Sequence, residues 1–177
     1  ADAEVWRKRT CDYLLWLNDD VALVPNALRT LLDTAEGLRR RSIVVGALSD
    51  PQTGRSSYGG YVRPDRRHPM RLNRLEPDGT VQTVDTMNGN VVLVPAAVRE
   101  AVGPTDYRFS HNMADMDYGY RVRAGGWGIA LAPFFVGTCS PNSNKSRWRD
   151  PSVPLPERLR LVRSVKGLPP REWMVFT

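Results

Sequence analysis

Three things are scarce in this sequence: long apolar runs, cysteine and repetition. No uninterrupted apolar stretch approaches the roughly 18 residues that a membrane-spanning helix needs, so none is expected. The first residues place Asp2 and Glu4 ahead of Arg7-Lys8-Arg9, which is not the basic-then-apolar order of a secretory signal. The two cysteines, Cys11 and Cys139, stand far apart and lack metal-ligand spacing. They read as free thiols in a reducing compartment, not as a disulfide framework. Neither a solenoid-length repeat nor a low-complexity tract is found, which excludes solenoid arrays and biased linkers. A soluble, cytoplasmic, globular chain is the expectation.

What is present suits one domain. A length of 177 residues with 41% hydrophobic residues supports one sizeable core but not two. The formal charge of +6 suggests an anionic partner, whether nucleic acid, an acidic membrane surface or a phosphorylated small molecule, or else serves only to keep the surface soluble, two readings the charge leaves equally open. The arginines are scattered and not gathered with stacking aromatics into a recognisable module, so no nucleic-acid partner is expected.

Alternating apolar blocks and helical spacings indicate an α/β chain. Cys11 to Leu17 reads as a strand buried on both faces. Pro25-Asn26 opens a helix with Ala27, Leu28, Leu31, Leu32 and Ala35 at helical spacing and Gly37 as a stop. Ser42 to Ala47 is a second buried strand, completing a strand-helix-strand unit. From Ser49 to Gly79 the breakers predict loops and small hairpins. Thr80 to Asp85 alternates apolar and polar residues, and Asn90 to Val94 is another buried strand. A short helix over Pro95 to Val102 ends at Gly103. A further helix starts near Asp115, carries Tyr118, Tyr120 and Val122, and stops at Gly125-Gly126. Trp127 to Leu131 returns to strand. Residues 141–177 are rich in Pro, Arg and Trp. They hold one amphipathic helix whose Leu155, Leu159 and Val162 share a face while Arg158 and Arg163 stay wet. That helix is expected to pack back on the domain, the other reading being a membrane-surface or partner helix.

Two acidic segments bear on chemistry. Asn18-Asp19-Asp20 ends the first strand, and ligands of open α/β sheets collect beyond the carboxyl ends of strands. Adjacent carboxylates repel unless a cation joins them, and hard oxygen donors suit Mg²⁺ or Mn²⁺. The equally open alternative is a plain strand-to-helix turn in which Asn18 or Asp20 bonds to backbone amides. The second segment holds Asp115 and Asp117 at a helix start, where capping and the macrodipole account for acids without chemistry. Two residues apart, they point in different directions, so only one of them would face a ligand.

The combination of WLNDDV, TMNGNVVLVPAAV and FSHNMADMDYGYRVRAGGWGIALAP, in that order, resembles the family 2 inverting glycosyltransferases of GT-A fold. The resemblance covers residues 12 to about 140. It implies a mixed, mostly parallel sheet flanked by helices, with residues 1–140 as the catalytic domain and 141–177 as an extension. It also implies metal-dependent transfer from a nucleotide-sugar donor to a glycan or lipid-linked acceptor, in polysaccharide or glycolipid synthesis at the inner face of the membrane. Asn18-Asp19-Asp20 stands at the family's DxD motif, with Asp20 the ligand of Mg²⁺ or Mn²⁺ and Asp19 assisting. Asn88-Gly89-Asn90 matches the stretch that approaches donor sugar and acceptor, the glycine allowing close backbone approach. Asp115 falls on the catalytic base, and Asp117, Arg121 and Arg123 on the helix after it, where both arginines would equally well face solvent.

The sequence departs from the family at several points. Asn18 replaces the first acid, and Ala114 replaces the Glu beside the base. Thr138-Cys139 stands where relatives carry a His, and a thiol is a poor Mg²⁺ ligand. His111, near Asp115, reads as a surface or hydrogen-bonded residue ahead of a ligand. Only eleven residues precede Asp12, where relatives place the nucleotide-base half, so the chain is expected to hold the C-terminal part of the fold. The alternative function is a non-catalytic nucleotide-sugar-binding or scaffold domain.

Overall fold

The computed structural model describes residues 11–65, 67, 71–109, 113–141, 148, 150–164 and 174. In chain order its elements are β1 (Tyr13–Leu17), β2 (Ala22–Leu23), α1 (Ala27–Gly37), β3 (Ser42–Ser49), β4 (Ser56–Tyr58), β5 (Gly60–Val62) and β6 (Asn73–Arg74). There follow β7 (Gln82–Thr83), β8 (Thr86–Met87), β9 (Val91–Pro95), α2 (Ala96–Val102), α3 (Ala114–Ala124), β10 (Gly128–Thr138) and α4 (Leu155–Arg163). The result is a mixed α/β fold.

The main sheet runs β1-β9-β3-β10-β2, with β4 also on β3 and β7 on β10. β3 and β10 form a parallel ladder, Ile43 opposite Ile129 and Val45 opposite Leu131. β9 runs antiparallel to both β1 and β3. This corrects the expectation of a mostly parallel sheet, since β3–β10 is the one parallel ladder among the described residues. The chain enters β9 from the short-stranded segment between residues 50 and 90 and not from a helical crossover, so nothing forces parallel pairing there. β1, β3 and β10 still point the same way, with β9 reversed between the first two. β5, β6 and β8 make a separate small sheet, Tyr61 pairing with Arg74 and Thr86. The hairpin reading of Ser49 to Gly79 is thereby met.

The period-2 alternation of the long strands divides the core between the two faces of the sheet. Ile43, Val45, Val92, Val94, Ile129 and Leu131 pack with Tyr118 and Val122 of α3. On the other face, Val44, Leu48, Val91, Leu93 and Val136 pack with Ala27, Leu31 and Ala35 of α1. β1 contributes Leu14 and Trp16 to the first cluster and Tyr13 and Leu15 to the second. It is nonetheless half-buried, and Cys11 ahead of it is exposed, so the fully buried strand expected over Cys11 to Leu17 is corrected. Among the described residues β1 pairs with β9 alone, which makes it an edge.

The apolar stripe of α1 is narrower than its spacing suggested: Leu28 and Leu32 are exposed. The helix does end at Gly37, but the chain then turns through Arg39 (φ 53°) and Arg40 (φ 56°). Left-handed backbone at a non-glycine residue costs on the order of 1–2 kcal/mol. Arg40 is held there by Glu36 at 2.7 Å and Asp12 at 3.4 Å. In α4, Leu155 and Leu159 are exposed and no residue is buried, contrary to the expected packing against the domain. Both cysteines are free thiols. Among the described residues no helix is long and apolar enough to cross a membrane.

Candidate functional site

β1 ends at Leu17, and Asn18, Asp19 and Asp20 follow as an exposed turn. The turn is closed by backbone. The Asn18 N–H donates to the Asn90 carbonyl at 3.0 Å, and the Val21 N–H to the Asn18 carbonyl at 3.4 Å. Among the described residues the side chains of Asn18, Asp19 and Asp20 make no hydrogen bond or ion pair. A turn capped by its own side chains, one of the two readings of the sequence, is therefore not what is seen.

The Asn18–Asn90 bond joins this turn to the next predicted stretch. Asn88-Gly89-Asn90 links β8 to β9, and Asn90 is buried. The Asn88 N–H donates to the Gly59 carbonyl at 2.9 Å, and the Tyr61 hydroxyl donates to Asn88 Oδ1 at 2.8 Å. The Gly89 N–H donates to Asp115 Oδ2 at 2.8 Å. A Cβ at position 89 would lie 2.8 Å from Asp115 Oδ1 and 2.9 Å from its Cγ. The close approach that glycine permits here is thus to the carboxylate of Asp115. Backbone brings all three predicted blocks into one chain of contacts.

Asp115 is held in place because α3 is docked tightly on β8. The Thr86 hydroxyl, fully buried, donates to the Met116 carbonyl at 2.9 Å. A Cβ on Gly119 would fall 2.6 Å from Thr86 Oγ1 and 3.1 Å from the Thr86 Cα, so only glycine lets the helix approach this strand. From the other side Trp16 of β1 packs on Tyr118, ring centroids 4.7 Å apart and planes inclined at 56°. The strand that delivers the acidic turn and the helix that delivers Asp115 therefore share a buried aromatic contact.

Asp115 and Asp117 part company as their spacing predicts. Asp117 accepts from Arg121 Nε at 2.8 Å, one turn on. Met113 occupies the cap position and no side chain caps the helix, so both acids act in its first turn and not as the cap itself. Arg121 also donates to the carbonyls of Val102 at 3.1 Å and Pro104 at 3.0 Å. Arg123 is paired with Asp85, which also accepts from the Arg63 N–H at 2.7 Å. Neither arginine is a solvated bystander. They tie α3 to the end of α2 and to the approach to β8.

The loop ahead of α3 carries a bidentate charge pair. Arg108 grips Asp106 with Nε at 3.0 and 2.9 Å and Nη2 at 2.5 Å. That bidentate grip, with the Arg108 N–H added, holds the Asp106 carboxyl down at about 2. His111 lies outside the described residues. Cys139 is buried among Ala132, Val136 and Leu48 and its N–H donates to Ser49, so its thiol serves the core. Sequence reasoning did not single out Tyr61, Thr86, Trp16 or Gly119. Only Gly119, a glycine inside a helical pattern, carried a local signal of close packing.

Among the described residues no three His, Cys, Asp or Glu side chains gather into a group able to hold a metal ion. The donors present are the exposed carboxylates of Asp19 and Asp20. That set fits an ion of the Mg²⁺ type, which is commonly held by one or two carboxylates and completed by substrate phosphates and water. No protein-family model matches the chain, and no curated protein matches it.

Proposed function

We propose that the chain carries the metal and base site of a GT-A-type, family 2 inverting glycosyltransferase. The observation that supports this most is the contact chain Asn18–Asn90 and Gly89–Asp115, at 3.0 and 2.8 Å. It sets an unpartnered acidic turn and a positioned carboxylate on either side of one three-residue stretch. Asp20, with Asp19 beside it, would hold Mg²⁺ or Mn²⁺, whose chemistry there is to neutralise charge on the donor diphosphate.

In this reading Asp115 takes the proton of an acceptor hydroxyl as that oxygen attacks the anomeric carbon. The bond from that carbon to the diphosphate breaks with its electron pair leaving on the diphosphate. A single displacement inverts the stereochemistry. The Gly89 N–H, at 2.8 Å from Oδ2, orients the Asp115 carboxylate.

The test is release of nucleoside diphosphate from a panel of UDP-, GDP- and dTDP-sugars with Mn²⁺. Asp115→Asn should lower turnover by about 10²–10⁴-fold and leave donor binding in place. Asp20→Ala should abolish metal-dependent donor binding. No release from any donor, together with unchanged metal-dependent binding in Asp20→Ala, would overturn the proposal. Ala114, which brings no second carboxylate beside Asp115, favours as second reading a non-catalytic nucleotide-sugar-binding domain. Tight metal-dependent binding without turnover would assign it.

A further inference from the structure

The net charge of the chain is not evenly spread. Residues 141–177 hold eight of the 25 Lys and Arg but three of the 19 Asp and Glu, so this segment carries +5 of the net +6. Residues 1–140 are almost neutral. A basic surface that merely kept the domain soluble would not be segregated in this way. Two of the five tryptophans, Trp148 and Trp173, lie in the same segment.

Within it, α4 is the described helix, with Leu155 and Leu159 turned to the outside and Leu161 and Val162 half-buried. Leu155 is 65% and Leu159 48% exposed, and no residue of the helix is buried. At helical spacing Leu155, Leu159 and Val162 form one stripe, with Arg158 and Arg163 flanking it on either side. Arg160 and Arg163 occupy the last turn, where the helix dipole also favours cations. Arg158 Nε donates to the Trp148 carbonyl at 2.8 Å, and Val153 just ahead of the helix is buried. The helix is thereby anchored at its start, with Leu155 and Leu159 outward. Arg160 and Arg163 are exposed and make no ion pair among the described residues.

We propose that α4 lies in the surface of an anionic phospholipid bilayer. Leu155 and Leu159 would enter the headgroup and acyl boundary while Arg160 and Arg163 meet lipid phosphates. An exposed leucine stripe flanked by arginines is the arrangement such interfacial helices use. Nucleic acid would satisfy the arginines but gives the leucines nothing to bury against, which is why lipid is favoured. The inference does not depend on glycosyl transfer.

The experiment is flotation of the full 177-residue chain with phosphatidylcholine vesicles, alone and with one-third phosphatidylglycerol. Binding should require the anionic lipid and weaken as salt rises. Arg160→Ala and Arg163→Ala should each reduce it roughly fivefold. The double variant Leu155→Glu/Leu159→Glu should abolish it with the melting temperature unchanged, because both side chains are exposed. Equal binding to neutral vesicles, no vesicle binding, or binding indifferent to the leucine replacements would overturn the proposal. So would a dimer in sedimentation that the leucine replacements dissolve, which assigns the stripe to a second copy. RNA binding lost with the arginines but kept without the leucines would likewise overturn it.

Discussion

The two acidic segments of the site are built on opposite terms. At the start of α3 the carboxylates are wired into the fold: Asp115 accepts from Gly89 at 2.8 Å and Asp117 from Arg121 at 2.8 Å. At the end of β1, Asp19 and Asp20 are exposed and have no hydrogen bond or ion pair among the described residues. A carboxylate that must take a proton from one direction gains from being fixed. Carboxylates that must accept an ion and whatever arrives with it gain from being left unsatisfied. With no partner among the described residues, the second pair contributes no side-chain bond to the fold. The comparison predicts that mutations on the α3 side will be felt in stability and those on the turn side in binding.

The largest effect belongs to the platform beneath Asp115. Tyr118 is fully buried, and it meets Trp16 at 4.7 Å and lies beneath Arg121 at 5.2 Å. Tyr118→Ala should cost about 3–5 kcal/mol of unfolding free energy, the range for truncating a buried aromatic. Urea denaturation followed by fluorescence measures it. A loss near that of a surface substitution would mean that α3 is not docked as described.

A smaller effect is expected at Gly89. The methyl of Gly89→Ala would meet all three carboxylate atoms of Asp115 within 3.0 Å. An aspartate can swing aside, at the price of its bond to the Gly89 N–H. The expected loss is about 1.5–3 kcal/mol, the cost of breaking a bond to a charged acceptor. The double variant with Asp115→Asn should lose less than the sum of its parts, because the two residues share one interaction. Strict additivity would sever the connection between Gly89 and Asp115.

Acid titration probes the same side more gently. Asp106 is held at about 2 against an ordinary 3.8, chiefly by Arg108. A carboxyl lowered in the folded state stabilises the fold above its unfolded value, and that stabilisation fades as pH falls from 3.8 towards 2. Asp106→Asn should therefore be less stable than the parent at neutral pH and converge on it across that window. The pair lies at the surface, so added salt should shrink the difference. Denaturation midpoints measured against pH would refute this by staying parallel.

Much of this contrast was legible in the residues. Buried runs such as Ser42 to Ala47 and Asn90 to Val94 declare themselves because a strand covered on both faces has no polar alternation to confuse its reading. The two-residue spacing of Asp115 and Asp117 announced that their tasks would differ. Strand direction was not legible, because β9 looks the same from its composition whether it runs with its neighbours or against them. The partners of Asp115 were hidden too: Gly89 lies 26 positions away and Tyr61 27 positions from the Asn88 it holds. Such bonds are set by how β5, β8 and α3 are stacked, which local pattern does not encode. Exposure of Leu155 and Leu159 was hidden for the same reason, since amphipathic spacing marks a face without saying what covers it.

The smallest stability effect is the one that bears most directly on the turn. If Asn18-Asp19-Asp20 were a capping device, Asp20→Ala would cost about 0.5–2 kcal/mol, as cap removals do. With no side-chain partner to lose, Asp19→Ala and Asp20→Ala should each stay within about 0.5 kcal/mol of the parent, the range for surface changes. Their sign should lean towards stabilisation, because each removes one of two adjacent like charges. The same variants should diverge from the parent once Mn²⁺ is added with a nucleoside diphosphate. Ligand that binds only the folded chain raises its melting temperature in proportion to the logarithm of saturation. The parent should show that rise, and Asp20→Ala should not. A turn that is inert to folding and decisive for binding would complete the contrast with α3. A costly Asp20→Ala, with no change in the response to ligand, would instead return the turn to the ordinary architecture of a strand end.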